Sequence, residues 1–225
     1  MLTPLIGFGA GGAGLELIFR SSAVSGANNA TYTFSAMAIG AAAADRLVIA
    51  VVASHDSADT AGEAPTSVTI GGVTATLHVH AVGTGTNEGS VTICSAIVPT
   101  GTTADVVATW AAARVRAGAG LYTLANYAGA TPVATNQNTA TVDSTTIAID
   151  LTVAFDQIGV VGATSRSATA STVTWTNAAE DFDVAMEASE SSISGAHVAA
   201  GSGAVTVTAT MSNTGSPCIA GAVWG

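Results

Sequence analysis

His78 and His80 stand two residues apart in the run Thr76-Leu-His-Val-His80. In an extended strand, residues i and i+2 point to the same face, so both imidazoles are expected to share a face where they could chelate a metal ion. The plainer alternative leaves them on a polar or interfacial face opposite Leu77 and Val79. A hard cation would need oxygen ligands instead, and two acidic groupings offer them. One is Asp56, Asp59 and Glu63; the other is Glu180, Asp181, Asp183, Glu187 and Glu190. Neither has the spacing of a calcium loop. Asp181, Asp183 and Glu187 share strand parity while Phe182, Val184 and Met186 fall on the other side, which reads as a solvated strand face.

With Gly72, the histidine pair reads G-x5-H-x-H, which resembles the start of the first metal motif of the cupins, carried on a jelly roll. That resemblance implies a metal at His78 and His80. It departs from the family at once, because no glutamate follows within a few residues, Glu88 is too distant, and no second histidine motif appears. Gly7-Phe-Gly-Ala-Gly-Gly12 matches the pattern of a dinucleotide-binding turn. A strand-like segment follows it where a helix is required, and no acid stands where the ribose would need one, so no cofactor is expected. No G-x-S-x-G elbow and no cysteine–histidine pairing supports a nucleophile, and no catalytic role is expected. Cys94 and Cys218 read as buried small hydrophobes rather than as a bridge.

The elements that must hold these residues are strands. Val, Ile and Thr dominate segments such as 46–53, 90–98, 145–153 and 204–210, each bounded by Gly, Asn, Asp or Pro. About fifteen strands at this spacing predict an all-β body of packed antiparallel sheets with jelly-roll or related Greek-key topology. No repeat of fixed period is evident. We expect one β-sandwich over residues 15–225 behind an extended, apolar, Gly-rich arm over residues 1–14. Thr66–Ile70, Gly71-Gly72 and Val73–His80 read as a hairpin. Helical turns are conceivable at Ala36–Ala44 and Trp110–Arg116, and the loop 55–65 reads as exposed.

Composition narrows the function classes. Only 9% of the 225 residues are charged, the cations are five arginines, and the formal net charge is −10. That balance excludes a phosphate-binding surface and hence a nucleic-acid partner. No apolar run approaches the length of a membrane-spanning helix, so no membrane insertion is expected. The first ten residues lack the basic segment of a secretory signal and are expected to be retained. So few charges suit a surface partly spent on contacts with other subunits.

Trp110, Trp175 and Trp224 fall on inward or strand-closing positions, whereas Tyr32, Tyr122 and Tyr127 are freer to reach a surface, and Tyr122 and Tyr127 could stack on a sugar. Met1–Gly14, Ser67–Thr76, Ile97–Val107 and Thr174–Asn177 together resemble the Ala/Gly/Thr/Val-rich β-sandwich proteins of tailed-bacteriophage virions. The resemblance implies a subunit on the outer surface of a particle, as a head decoration, spike, tail fibre or tail tip. It implies docking through Leu2, Leu5, Ile6 and Phe8, with other virion proteins and a homo-oligomer such as a trimer as partners. The alternatives are a carbohydrate- or receptor-binding, adhesin-like sandwich and a cupin-like metal protein.

Overall fold

The computed structural model describes residues 14–56, 63–83, 89–140, 143–167, 169–187 and 190–225. The predicted docking residues Leu2, Leu5, Ile6 and Phe8 lie outside them. Every regular element described is a strand, and there is no helix among the described residues. The first half contains β1 (Glu16–Ser25), β2 (Asn29–Ala38), β3 (Leu47–His55), β4 (Ser67–Ile70), β5 (Val73–Thr74), β6 (Thr76–Val82), β7 (Gly89–Ile97), β8 (Thr103–Arg114) and β9 (Arg116–Ala125). The second contains β10 (Ala134–Thr139), β11 (Ser144–Val153), β12 (Ile158–Arg166), β13 (Val173–Thr176), β14 (Ala179–Glu187), β15 (Ser191–Val198), β16 (Gly203–Gly215) and β17 (Cys218–Trp224). Both helical expectations fail: β8 runs through Trp110 to Arg114, and the Ala-rich stretch after β2 is irregular.

In place of one two-sheet sandwich, the strands form four sheets, all antiparallel. The inner sheets have the orders β1-β9-β3-β7-β6 and β10-β17-β12-β15-β14, and the outer sheets β2-β8-β4-β5 and β11-β16-β13. Matching the strands in sequence, with β5 as an extra, makes the second half a repeat of the first, β10 standing for β1, β12 for β3 and β17 for β9. A trace survives in the sequence. Val98-x-x-Gly101 and Val198-x-x-Gly201 occupy corresponding turns, and both glycines take positive φ, 76° and 74°, a conformation that other residues adopt only with strain.

The four sheets stack as outer, inner, inner, outer around three cores. Tyr32, Phe34, Val106, Trp110, Val48 and Val52 fill the first, between β2-β8-β4-β5 and the first inner sheet. Ile49, Val51, Ile93, Tyr122, Phe182 and Trp224 belong to the middle core, between the inner sheets. Ile147, Ile149, Val161, Val207 and Met211 belong to the third. The central strands of the inner sheets therefore bury both faces, and β3 is buried at every position. Outer strands bury one, so β2 and β8 alternate. Each Val, Leu or Ile fully buried contributes about 1.5–3 kcal/mol.

The inner sheets meet with their orders reversed. β1 lies over β14, β9 over β14 and β15, β3 over β12, β7 over β12 and β17, and β6 over β17 and β10. The end of β3 also meets the end of β12, where His55 Nε2 lies 3.0 Å from Thr164 Oγ1. The two halves are thus related by a pseudo-twofold axis running along the strands between β3 and β12.

Candidate functional site

The two histidines do not share the face expected of them. The β6–β7 register shifts between Leu77 and Val79, leaving His78 as the extra residue of a bulge. A bulge changes which face the following side chains take. His78 Nε2 bonds Ser95 Oγ at 2.8 Å and its ring meets Trp224 edge-on on the middle-core side. His80 Nδ1 bonds Thr92 Oγ1 at 2.9 Å. Along β7, Val91 and Ile93 face the middle core and Cys94 and Ala96 the first, so Thr92 and Ser95 leave from opposite faces. The two imidazoles are therefore separated by the sheet, and burial lowers the pKa of each. No group of three metal-ligating side chains occurs among the described residues.

The acids serve the chain's own cations. Asp56 and Glu63 hold the buried Arg114 guanidinium at 3.0 and 2.7 Å, so the ends of the loop expected to be exposed are pinned; Asp59 lies outside the described residues. Glu190 bridges Arg116 and Arg166 at 3.0 and 3.1 Å. Asp181 binds His197 Nδ1 at 2.9 Å, and that hydrogen bond raises the histidine's pKa. Asp183 accepts the Val173 N–H at 2.8 Å. Phe182, Val184 and Met186 do face the middle core as expected, but Asp181 and Asp183 are half-buried and engaged rather than solvated. His55, wholly buried between the inner sheets, has its pKa pushed down to about 3 by burial first and then by Arg166 and Arg116. His55, Asp56, Arg114, Arg116, Arg166 and Glu190 gather at the end of the strands where β3 and β12 finish, whereas the Asp181–His197 pair lies toward the start of β12.

The aromatic expectations divide. Trp110 and Trp224 are buried, and Trp224 closes the last strand with its indole N–H donated to the Ala130 carbonyl at 3.0 Å. Trp175 is half-buried, donating to Ser194 Oγ at 2.9 Å. Neither Tyr32 nor Tyr122 is a surface residue: Tyr32 is buried in the first core against Trp110, and Tyr122 is wholly buried against Phe19 and Phe182, because its position in β9 faces the second inner sheet. Tyr127 is half-buried and its hydroxyl donates to the Asp45 carbonyl at 2.6 Å, which leaves it little freedom to meet a ligand. Cys94 and Cys218 lie in different cores and are not bridged to each other.

The opposite end of the strands has another character. Residues 1–13 join the body there, at Gly14 and Leu15. These two, with Asn126, Ala128, Phe155, Asp156, Ala200 and Gly225, line an open cleft of about 460 Å³. Phe155 is 90% exposed at the tip of the β11–β12 turn. That turn is held by three bonds: Gln157 N–H to the Ala154 carbonyl at 3.1 Å, Gly201 N–H to the same carbonyl at 2.9 Å, and Ala154 N–H to Gln157 Oε1 at 3.0 Å. An aromatic ring displayed on so fixed a turn is prepaid in conformational entropy as a contact residue. Val133 and Ile97, 60% and 43% exposed, stand at the same end. Sequence reasoning passed over Phe155; its signal was an aromatic inside the short turn Ala154-Phe-Asp-Gln157.

Compared with known proteins, the chain matches no family model, no curated protein and no solved structure.

Proposed function

We propose that this chain is a non-enzymatic structural subunit of a tailed-phage virion, carried on the outer surface of the particle as a head decoration, spike, tail-fibre or tail-tip component. Residues 1–14 are its docking arm, and each half is a jelly roll, a reading supported by the interleaved order β1-β9-β3-β7 opposite β2-β8-β4-β5. The observation that carries the proposal is the exposed Phe155 on its pinned turn, beside the cleft from which the apolar arm departs. Apolar surface gathered at one end of a body suits attachment to a neighbouring subunit.

Light scattering on the full chain, on a chain lacking residues 1–13 and on Phe155→Ser tests this. The full chain is expected to self-associate, and both changes to reduce association while leaving the circular dichroism spectrum intact. A full chain that stays monomeric at every concentration, or a truncated chain that associates normally, overturns the docking role.

A further inference from the structure

The two halves repeat one strand arrangement, so a feature present in only one of them is not required by that arrangement. The seam between an inner and an outer sheet is such a place. In the first half the seam between β1 and β2 is covered by Arg20, whose Nε donates to Thr123 Oγ1 at 2.7 Å and whose guanidinium packs on Gly40. In the second half the matching seam, between β10 and β11, carries no such cover among the described residues and is hollowed. Two adjoining hollows of about 420 and 260 Å³ share Asn138 and Ala148. Together they follow β11 from Ser144 to Asp150, roughly 20 Å at about 3.3 Å per residue.

The wall of this groove is preorganised. Asn136 and Asn138 each accept the N–H of the following residue on Oδ1, both at 2.8 Å. Their Nδ2 groups donate across the seam to the Asp150 and Ala148 carbonyls, again at 2.8 Å. Each asparagine thus bridges the two edge strands as a peptide group would. Thr206 Oγ1 donates to Asp150 Oδ1 at 2.6 Å, which fixes the far end. Gln137, Asp143, Thr146 and Thr208 line the remaining surface.

This lining selects its occupant by exclusion. An extended peptide would bind by adding a strand to an open edge, but here the Gln137 and Thr139 N–H groups and the Ala148 and Asp150 carbonyls on the facing edges are already taken by the asparagines. An anion would meet Asp143 and Asp150 with no arginine in the lining. An apolar ligand would desolvate amides and hydroxyls without replacing their hydrogen bonds. What remains is a neutral chain rich in hydroxyl groups, able both to donate to carboxylates and amide oxygens and to accept from amides and threonine hydroxyls. We propose that the β10–β11 groove is a binding site for an extended, uncharged glycan, several sugar units long.

The site is independent of the assembly reading, since it lies on the side of the body and is read out by binding rather than by mass. Calorimetric titration of the full chain with maltohexaose, cellohexaose, fully N-acetylated chitohexaose and mannohexaose, with heparin as the polyanionic control, tests it. At least one neutral hexasaccharide is expected to bind, more tightly than its disaccharide, and Gln137→Ala and Thr208→Val are each expected to weaken it about tenfold, or 1.4 kcal/mol, with unchanged melting temperature. Silence of all four neutral probes, binding of heparin alone, or neutral binding indifferent to both substitutions overturns the proposal.

Discussion

Val51 and Gly162 occupy matching positions, each the fifth residue of its nine-residue strand in β3 and β12, and they face each other where the two strands cross. A Cβ placed on Gly162 would lie 2.3 Å from Val51 Cγ1. Two identical side chains cannot share a point on a twofold axis unless both are small. The pair resolves that conflict by making one partner a valine and the other a glycine.

Gly162→Ala is therefore expected to destabilise the protein by about 1–3 kcal/mol through overpacking. Val51→Ala in the same chain should recover part of that loss. Urea unfolding of both single variants and the double variant measures the coupling; strictly additive effects would show that the two positions do not compete for space.

His55 makes stability depend on pH. Its folded-state pKa is about 3 against an ordinary 6.5, so between these values the unfolded chain binds a proton that the folded chain refuses. Its share of stability is full above about pH 6.5 and is lost as pH falls toward 3, with a slope approaching about 1.4 kcal/mol per pH unit. Burial of His78 and His80 acts in the same direction. His197, raised by Asp181, acts oppositely, its contribution being present at low pH and fading as pH rises through its folded pKa. Urea midpoints between pH 4 and 7 should vary less steeply in His55→Gln than in the parent chain.

Arg114 is 1% exposed and paired to Asp56, itself only 10% exposed. Arg114→Ala would leave that carboxylate buried without its cation and is expected to cost about 3–5 kcal/mol. Adding Asp56→Asn should soften the loss, which denaturant titration of the two variants would reveal.

Cys94 and Cys218 lie at zero exposure, and burial pushes the Cys94 thiol up to about 12. Neither is expected to react with a thiol reagent until the chain opens. The labelling rate should rise steeply with urea, and rapid labelling of the native protein would contradict the burial of both groups.

The sequence made the strands and several of their details legible. Gly71-Gly72 forms the expected hairpin turn, with φ of 59° and 79°, the double positive φ that such two-residue turns require, but the second arm is shorter than expected: only Val73 and Thr74 pair with β4, and Thr76–His80 crosses to β7 in another sheet. Trp110 points inward as its parity indicated, and Trp224 closes the last strand as its position indicated. Layer number was harder to read, because it depends on which strands are buried on both faces. The signal was present in Leu47–Ala53, uniformly apolar, against Val205–Thr210, which alternates. The shared histidine face failed on a single bulge, and a bulge leaves no mark in composition. The halves have diverged until little beyond Val98-x-x-Gly101 and Val198-x-x-Gly201 shows their correspondence, so the repeat is carried by strand order rather than by residues. Tyr122 was misread because a fully buried inner strand offers no alternation from which to tell its outer face.

The middle core, with Ile49 and Ile93 from one half and Phe182 and Trp224 from the other, has the layout of an interface between two like subunits. Here the partners are joined in one polypeptide. Separate subunits would fall apart on dilution, whereas these meet at an effective concentration set by a short connection and stay paired however scarce the protein becomes. Joining also releases each side from carrying the same residues as the other. An arginine can close one seam while asparagines hold its counterpart open, a division of labour denied to a symmetric pair.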